Sequence, residues 1–183
     1  MRYLYVLIGL AILVGMAYAA EGSFKVQMDV STYVDASNPN ASFSNNSTLL
    51  VSSADGKPMA ETYLSFKNNF GSVGIFKPES ISSATLTLDI QKVETPGKIN
   101  AYFVHGPTFE TATWADKPDY ESNASSSFDV QKAGAYTVDV TPIIKKAIET
   151  CAEDCPYSIV LISNDASVDL SKEKAPSLEY TTG

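Results

Sequence analysis

The chain has 183 residues, with 21 acidic against 13 basic side chains, one histidine, two cysteines and a net charge of −8. That balance argues against a nucleic-acid or anionic-lipid partner, both of which call for a basic face. With His105 as the only histidine and Cys151 and Cys155 as the only cysteines, a zinc centre at the cysteine pair lacks its remaining ligands.

In chain order, Met1–Arg2–Tyr3 supplies one positive charge, Leu4 to Met16 is an uncharged apolar run, and Ala17–Tyr18–Ala19 has the small–x–small pattern of a signal-peptidase site. The expectation is a signal peptide over 1–19, because its apolar core is shorter than the roughly 20 residues of a spanning helix. An uncleaved anchor is the alternative, since Leu4 to Ala20 could cross a thin bilayer. Cleavage leaves residues 20–183 as one domain. Losing Arg2 then leaves 12 basic against 21 acidic residues, a net of −9.

The next signal is period-two alternation, which marks strands with one buried and one wet face. Phe24, Val26, Met28 and Val30 alternate with Lys25, Gln27, Asp29 and Ser31. A polar loop follows, holding the sequons at Asn40, Asn45 and Asn46, and a fourth stands at Asn123. In a glycosylating host these predict glycans on exposed loops, although abundant Asn, Ser and Thr can also produce sequons by chance. Strands are expected at Thr48–Ser52, Glu61–Phe66, Ala84–Ile90, Ile99–His105, Tyr136–Val140, Ser158–Ser163 and Leu178–Thr181. The unbroken run Ile159–Val160–Leu161–Ile162 reads as a central strand covered on both sides.

One helix is expected, about 142–150, with Thr141 as N-cap and Pro142 at its first position. Ile143, Ile144, Ala147 and Ile148 form its apolar stripe, placed to plug one end of the sandwich. Behind it, Cys151 and Cys155 are spaced to close a short disulfide loop in an oxidising compartment. Eight or so short strands separated by Gly, Pro, Asn and Ser turns predict an all-β chain: a jelly-roll-like antiparallel β-sandwich with one short helix.

Six segments also resemble the DNRLRE-type domain, the carbohydrate-binding module family 96 or disaggregatase-related domain. They are 29–34 (Asp-Val-Ser-Thr-Tyr-Val), 61–66 (Glu-Thr-Tyr-Leu-Ser-Phe), 81–88, 110–114 with Pro118, 134–141 and 175–180. Glu61 stands where family members carry Arg or Lys. The resemblance implies a β-sandwich of cell-surface proteins, sometimes binding acidic polysaccharide.

Among individual residues, Trp114 could stack on a sugar ring or pack beneath its own loop. Tyr102, Tyr120 and Tyr33 are further aromatic candidates, and His105 completes the ligand-binding set. Asp29, Asp35, Asp165 and Asp169 are candidate oxygen ligands for a structural calcium ion, without EF-hand spacing. Three functions compete. The first is a secreted or surface-displayed, non-catalytic module binding extracellular polysaccharide or matrix. The second is a structural subunit that self-associates by strand addition through 24–30. The third is a small polysaccharide-degrading enzyme using His105 with a tyrosine, or an acidic pair.

Overall fold

The computed structural model describes residues 22–183; the signal-peptide reading falls on residues outside that range. The described residues fold as ten strands and one α-helix: β1 Gly22–Asp35, β2 Thr48–Ala54, β3 Lys57–Lys67, β4 Ile81–Thr95, β5 Gly97–Val104, β6 Glu121–Val130, β7 Gly134–Asp139, α1 Thr141–Thr150, β8 Pro156–Ile162, β9 Ser167–Ser171 and β10 Ser177–Thr182. Every strand pairing is antiparallel. The all-β sandwich expected from alternation is the fold observed.

The first sheet is organised around β4, which pairs β7 along one edge and β10, then β9, along the other. The first half of β1 adds to β10 and most of β2 to β9. The second sheet runs β6–β5–β8–β3 and is extended by the second half of β1. β1 changes sheet between Val26 and Gln27, just before a bulge at Met28/Val30 in its pairing with β3. β2 also passes from β9 to β3, so one side of the sandwich is laced shut. The β2–β3 hairpin turns on Asp55–Gly56, both at positive φ (53° and 72°), the mirror-image turn whose twist matches the strands.

Alternation is read out as predicted in β4, where Ala84, Leu86, Leu88 and Ile90 all lie in the core between the sheets. In β8, Ile159 and Leu161 enter that core, while Val160 and Ile162 face a second, smaller apolar cluster on the outside of the sheet. A strand apolar on both faces is what a central position demands. α1 packs Ile143, Ile144, Ala147 and Ile148 against β4, β5 and β6, across the seam opposite the laced side.

Two strands, β6 and β9, escaped the sequence pattern, and their absence explains the expectation of eight. β6 pairs only β5 and reads Glu-Ser-Asn-Ala-Ser-Ser-Ser-Phe-Asp-Val, so an edge position leaves it almost no apolar alternation. β9 is five residues long, too short for periodicity to register. The helix start also differs. Val140 takes the N-cap position without a side-chain bond, while Thr141 Oγ1 accepts from the Ala84 N–H of β4 (2.8 Å) and donates to Asp139 Oδ1 (2.6 Å). Asp139 Oδ1 also accepts the Thr141 N–H (2.9 Å). Thr141 therefore ties the helix to the sheet instead of capping it.

Cys151 and Cys155 form the disulfide directly behind α1. Asp154, inside that loop, accepts from the Ser72 hydroxyl and from the Ser72 N–H (3.1 Å), fastening the loop to the Gly71–Val73 turn. These bonds, the hydroxyl first, hold its carboxyl below the usual range.

Candidate aromatic site on the outer sheet face

The outer face of the β6–β5–β8–β3 sheet is lined by Tyr63, Val160, Ile162 and Val104, joined by Val34 of β1. A bare apolar sheet face is unstable in water, and the long β5–β6 connection, residues 105–120, folds back to cover it. It leaves β5 through Gly106, whose φ of 89° only glycine adopts readily. The Ser158 hydroxyl donates to the Gly106 carbonyl (3.1 Å) and accepts from Thr108 Oγ1 (3.0 Å), pinning the loop to β8. Ala115 N–H donates to the Pro39 carbonyl (2.9 Å), linking it to the sequon-bearing loop.

Trp114 opens a single 3-10 turn, Trp114–Asp116, whose Asp116 N–H is accepted by the Thr113 hydroxyl (3.2 Å). The indole is half-buried against the outer cluster beside Tyr102. Lys117 Nζ sits 3.5 Å from the centre of its ring, a cation–π contact. The same ammonium pairs with Glu61 Oε1 at 2.5 Å; the Glu61 side chain is 4% exposed and that of Lys117 27%. Tyr63 OH lies within donating distance of Glu61 Oε2 (3.1 Å) and the Pro118 carbonyl (3.2 Å). Burial, reinforced by the neighbouring Glu61 charge, pushes the Tyr63 phenol well above its ordinary range. The buried Glu61 carboxylate is thus neutralised from the loop side.

Outside this anchor the loop presents aromatic surface to solvent. Phe109 is 68% exposed and Tyr120 43%, two of the three large apolar side chains exposed among the described residues, with Phe76 the third. Tyr120 stacks on Tyr102 with centroids 4.6 Å apart, which steadies its ring while leaving its outer side to solvent. Burial raises the Tyr120 phenol, with smaller contributions from Tyr102 and Glu61. Beside Phe109 lies an open cleft of about 250 Å³ lined by Pro107, Thr108, Thr111, Ala112, Asp116, Lys117 and Pro118. By register, Ser125 faces out beside Tyr102, and Asn100 and Ser127 lie one step along the same face.

Of the ligand-binding residues expected from sequence, Trp114, Tyr102 and Tyr120 come together on this face. His105 is exposed at the loop's start but lines a separate cavity of about 60 Å³, beside Asn68, Tyr157 and the disulfide. Tyr33 is buried, stacked on Phe43 at 4.4 Å, with Asn46 Nδ2 donating to its hydroxyl (2.9 Å). Burial raises its phenol, against the pull of that bond.

The candidate calcium ligands are dispersed. Asp29 is exposed on β1; Asp35 accepts from Ser37 N–H (2.8 Å) and Asn38 Nδ2 (3.2 Å) in a local turn. Asp165 accepts from Lys98 N–H (3.0 Å), while Asp169 lies on β9, its carboxyl raised by burial. Among the described residues no group of three or more His, Cys, Asp or Glu side chains gathers to hold a metal. Asn40, Asn45 and Asn46 are exposed in the 36–47 loop, whereas Asn123 is exposed on edge strand β6 rather than in a loop.

Sequence reasoning missed Phe109 and Lys117. Phe109 carries a weak signal, an isolated aromatic in the polar run Pro-Thr-Phe-Glu-Thr that fits no strand period. Lys117 carries none, because its partner Glu61 lies 56 residues away.

A sandwich with a loop-borne aromatic surface over one sheet is the build of a binding module. Residues 23–180 match the model of carbohydrate-binding module family 96, and the chain belongs to that family. No curated protein matches it.

Proposed function

We propose that this chain is a secreted or cell-surface, non-catalytic module that binds extracellular polysaccharide through the Phe109–Tyr120 face. The observation that carries the reading is the concentration of exposed aromatic surface in one anchored loop, beside a cleft that same loop builds. Sugar rings offer apolar C–H faces that stack on aromatic rings, with hydroxyls left for polar neighbours such as Asn100, Ser125 and Ser127. At about 250 Å³ the cleft is smaller than a drug-sized pocket of roughly 300–1,000 Å³, and suits one ring of a chain that continues over the surface. Trp114 is the loop's anchor in this reading, its ring engaged by Lys117 and the outer cluster.

The surrounding features fit an exported protein: the sequons at Asn40, Asn45 and Asn123 are on exposed residues and the cysteines are paired. No helix among the described residues is long and apolar enough to cross a membrane.

The test is affinity electrophoresis in gels containing soluble polysaccharides. Phe109→Ala and Tyr120→Ala should each weaken retention about tenfold, a hot-spot loss of ~1.4 kcal/mol, without lowering the melting temperature. Phe76→Ala, whose exposure lies between those of Phe109 and Tyr120 but which is outside the loop, should leave retention unchanged. Retention that survives both loop variants would place the binding face elsewhere.

A further inference from the structure

We propose that Tyr102 and Tyr120 form a site of oxidative modification, where a peroxidase acting with hydrogen peroxide joins the two rings as dityrosine. That chemistry needs two phenols in contact, on fixed backbone, with at least one open to the oxidant. Of the seven tyrosines in the described residues, Tyr33, Tyr63, Tyr157 and Tyr180 are buried. Tyr136 is partly exposed, but its ring partner is Phe128, at 6.0 Å, which carries no phenol. Tyr102 and Tyr120 are left. Their rings stack with centroids 4.6 Å apart and 26° between planes, and Tyr120 is 43% exposed.

The backbone holds both rings in place. Tyr102 lies within β5, paired with Ser125 of β6 on one side and Val160 of β8 on the other. Tyr120 sits between two fixed points. Before it, the Pro118 carbonyl is within bonding distance of Tyr63 OH (3.2 Å); after it, Glu121 pairs with Phe103 in the sheet and with Lys146 at 3.3 Å. Holding two reactants in contact replaces a diffusional encounter with an intramolecular one, which favours coupling within the chain over coupling between chains.

Each phenol gives up one electron to the oxidant and its proton to water, leaving a tyrosyl radical. Tyr120 meets the oxidant, and the stacked contact passes the oxidation to Tyr102, freeing Tyr120 for a second turn. The radicals join through ring carbons ortho to their oxygens, and the hydrogen on each of those carbons then moves to the oxygen, restoring both phenols. In sum, two aryl C–H bonds are lost and one C–C bond forms, while hydrogen peroxide takes the two electrons and two protons to become two waters. The new bond closes residues 103–119 into a covalent loop across the outer sheet face. That segment has no disulfide of its own, because both cysteines are joined behind α1.

The experiment treats the full chain, in dilute solution, with a haem peroxidase and hydrogen peroxide and follows dityrosine fluorescence in the monomer band of a denaturing gel. Digestion of that band should release the Tyr102 and Tyr120 peptides joined, two hydrogen atoms lighter than their sum. Tyr102→Phe and Tyr120→Phe should each cut the monomer fluorescence at least about tenfold, whereas Tyr136→Phe should leave it unchanged. Dityrosine found only in multimers, or persisting in the Tyr120→Phe monomer, would overturn the proposal. So would a monomer without dityrosine under conditions in which free tyrosine couples. None of these outcomes alters polysaccharide retention by the untreated chain, so the two readings fail separately.

Discussion

The two faces of the β6–β5–β8–β3 sheet are both apolar, yet they are built differently. The inner face meets β4, β10 and α1 across a core dominated by aliphatic and aromatic side chains, with Phe66, Phe103, Tyr157, Leu161 and Tyr180 among them. The outer face has a cluster of six buried residues, and what covers it is one irregular loop held by an ion pair, two hydroxyl bonds and a half-buried indole. The contrast teaches where stability and recognition reside. A core held mainly by apolar packing is rigid and anonymous, whereas a loop that must satisfy its backbone with side-chain bonds can be held in one shape while its other side stays open to a ligand.

The largest expected effect falls on the inner face. Phe66→Ala should cost about 3–5 kcal/mol in denaturant unfolding, from lost burial plus the cavity left behind. On the outer face, Lys117→Met strands the Glu61 carboxylate. Removing one partner of a buried pair costs up to about 3–5 kcal/mol, and partial solvent access at the lysine end should reduce that to ~2 kcal/mol. A Glu61→Met, Lys117→Met double variant should recover most of the loss, since apolar replacement of a buried pair is often neutral. If the double variant is worse than the single one, the pair organises the loop by more than charge neutralisation.

Reducing the Cys151–Cys155 disulfide, which closes a very short loop behind α1, should cost no more than ~2 kcal/mol. Proteolysis of the reduced protein should then begin around the Gly71–Val73 turn that Asp154 fastens. Alkali probes the inner face separately. Burial pushes the Tyr180 phenol up to about 12, against about 10 in an unfolded chain. A raised folded value means the neutral phenol favours the fold, so this contribution is intact below about pH 10 and is lost as pH climbs through about 12. Circular dichroism across that window should show unfolding begin above about pH 10 and begin later in Tyr180→Phe. The smallest stability effects belong to Phe109→Ala and Tyr120→Ala, within about 0.5 kcal/mol, because those rings are exposed at the loop surface.

What could be read from the sequence divides along the same line. The inner face obeys periodicity: Ala84 to Ile90 in β4 and the stripe of α1 announce themselves, since each alternate or i,i+4 position has one environment. The double-faced run of β8 was also legible, because a central strand shows apolar residues without interruption. The outer site was legible only in part. Trp114, Tyr102 and Tyr120 could be singled out by residue type, but whether an aromatic points in or out of an irregular loop is fixed by contacts distant in sequence. Trp114 is turned toward the sheet by Lys117 and Glu61, while Phe109, five residues earlier, is left in solvent. Thr141 shows the same limit at a helix start, where a bond to Ala84, 57 residues away, displaces the cap that local sequence implied.

The most direct measurement is amide chemical-shift mapping of the isotopically labelled protein during titration with an oligosaccharide that its parent polymer's gel retention has identified. The account predicts shifts concentrated in residues 106–121 and in the facing positions of β5 and β6, with α1, β9 and β10 silent. Shifts gathered instead around Phe76 or the disulfide loop, with the 106–121 amides unmoved, would contradict it.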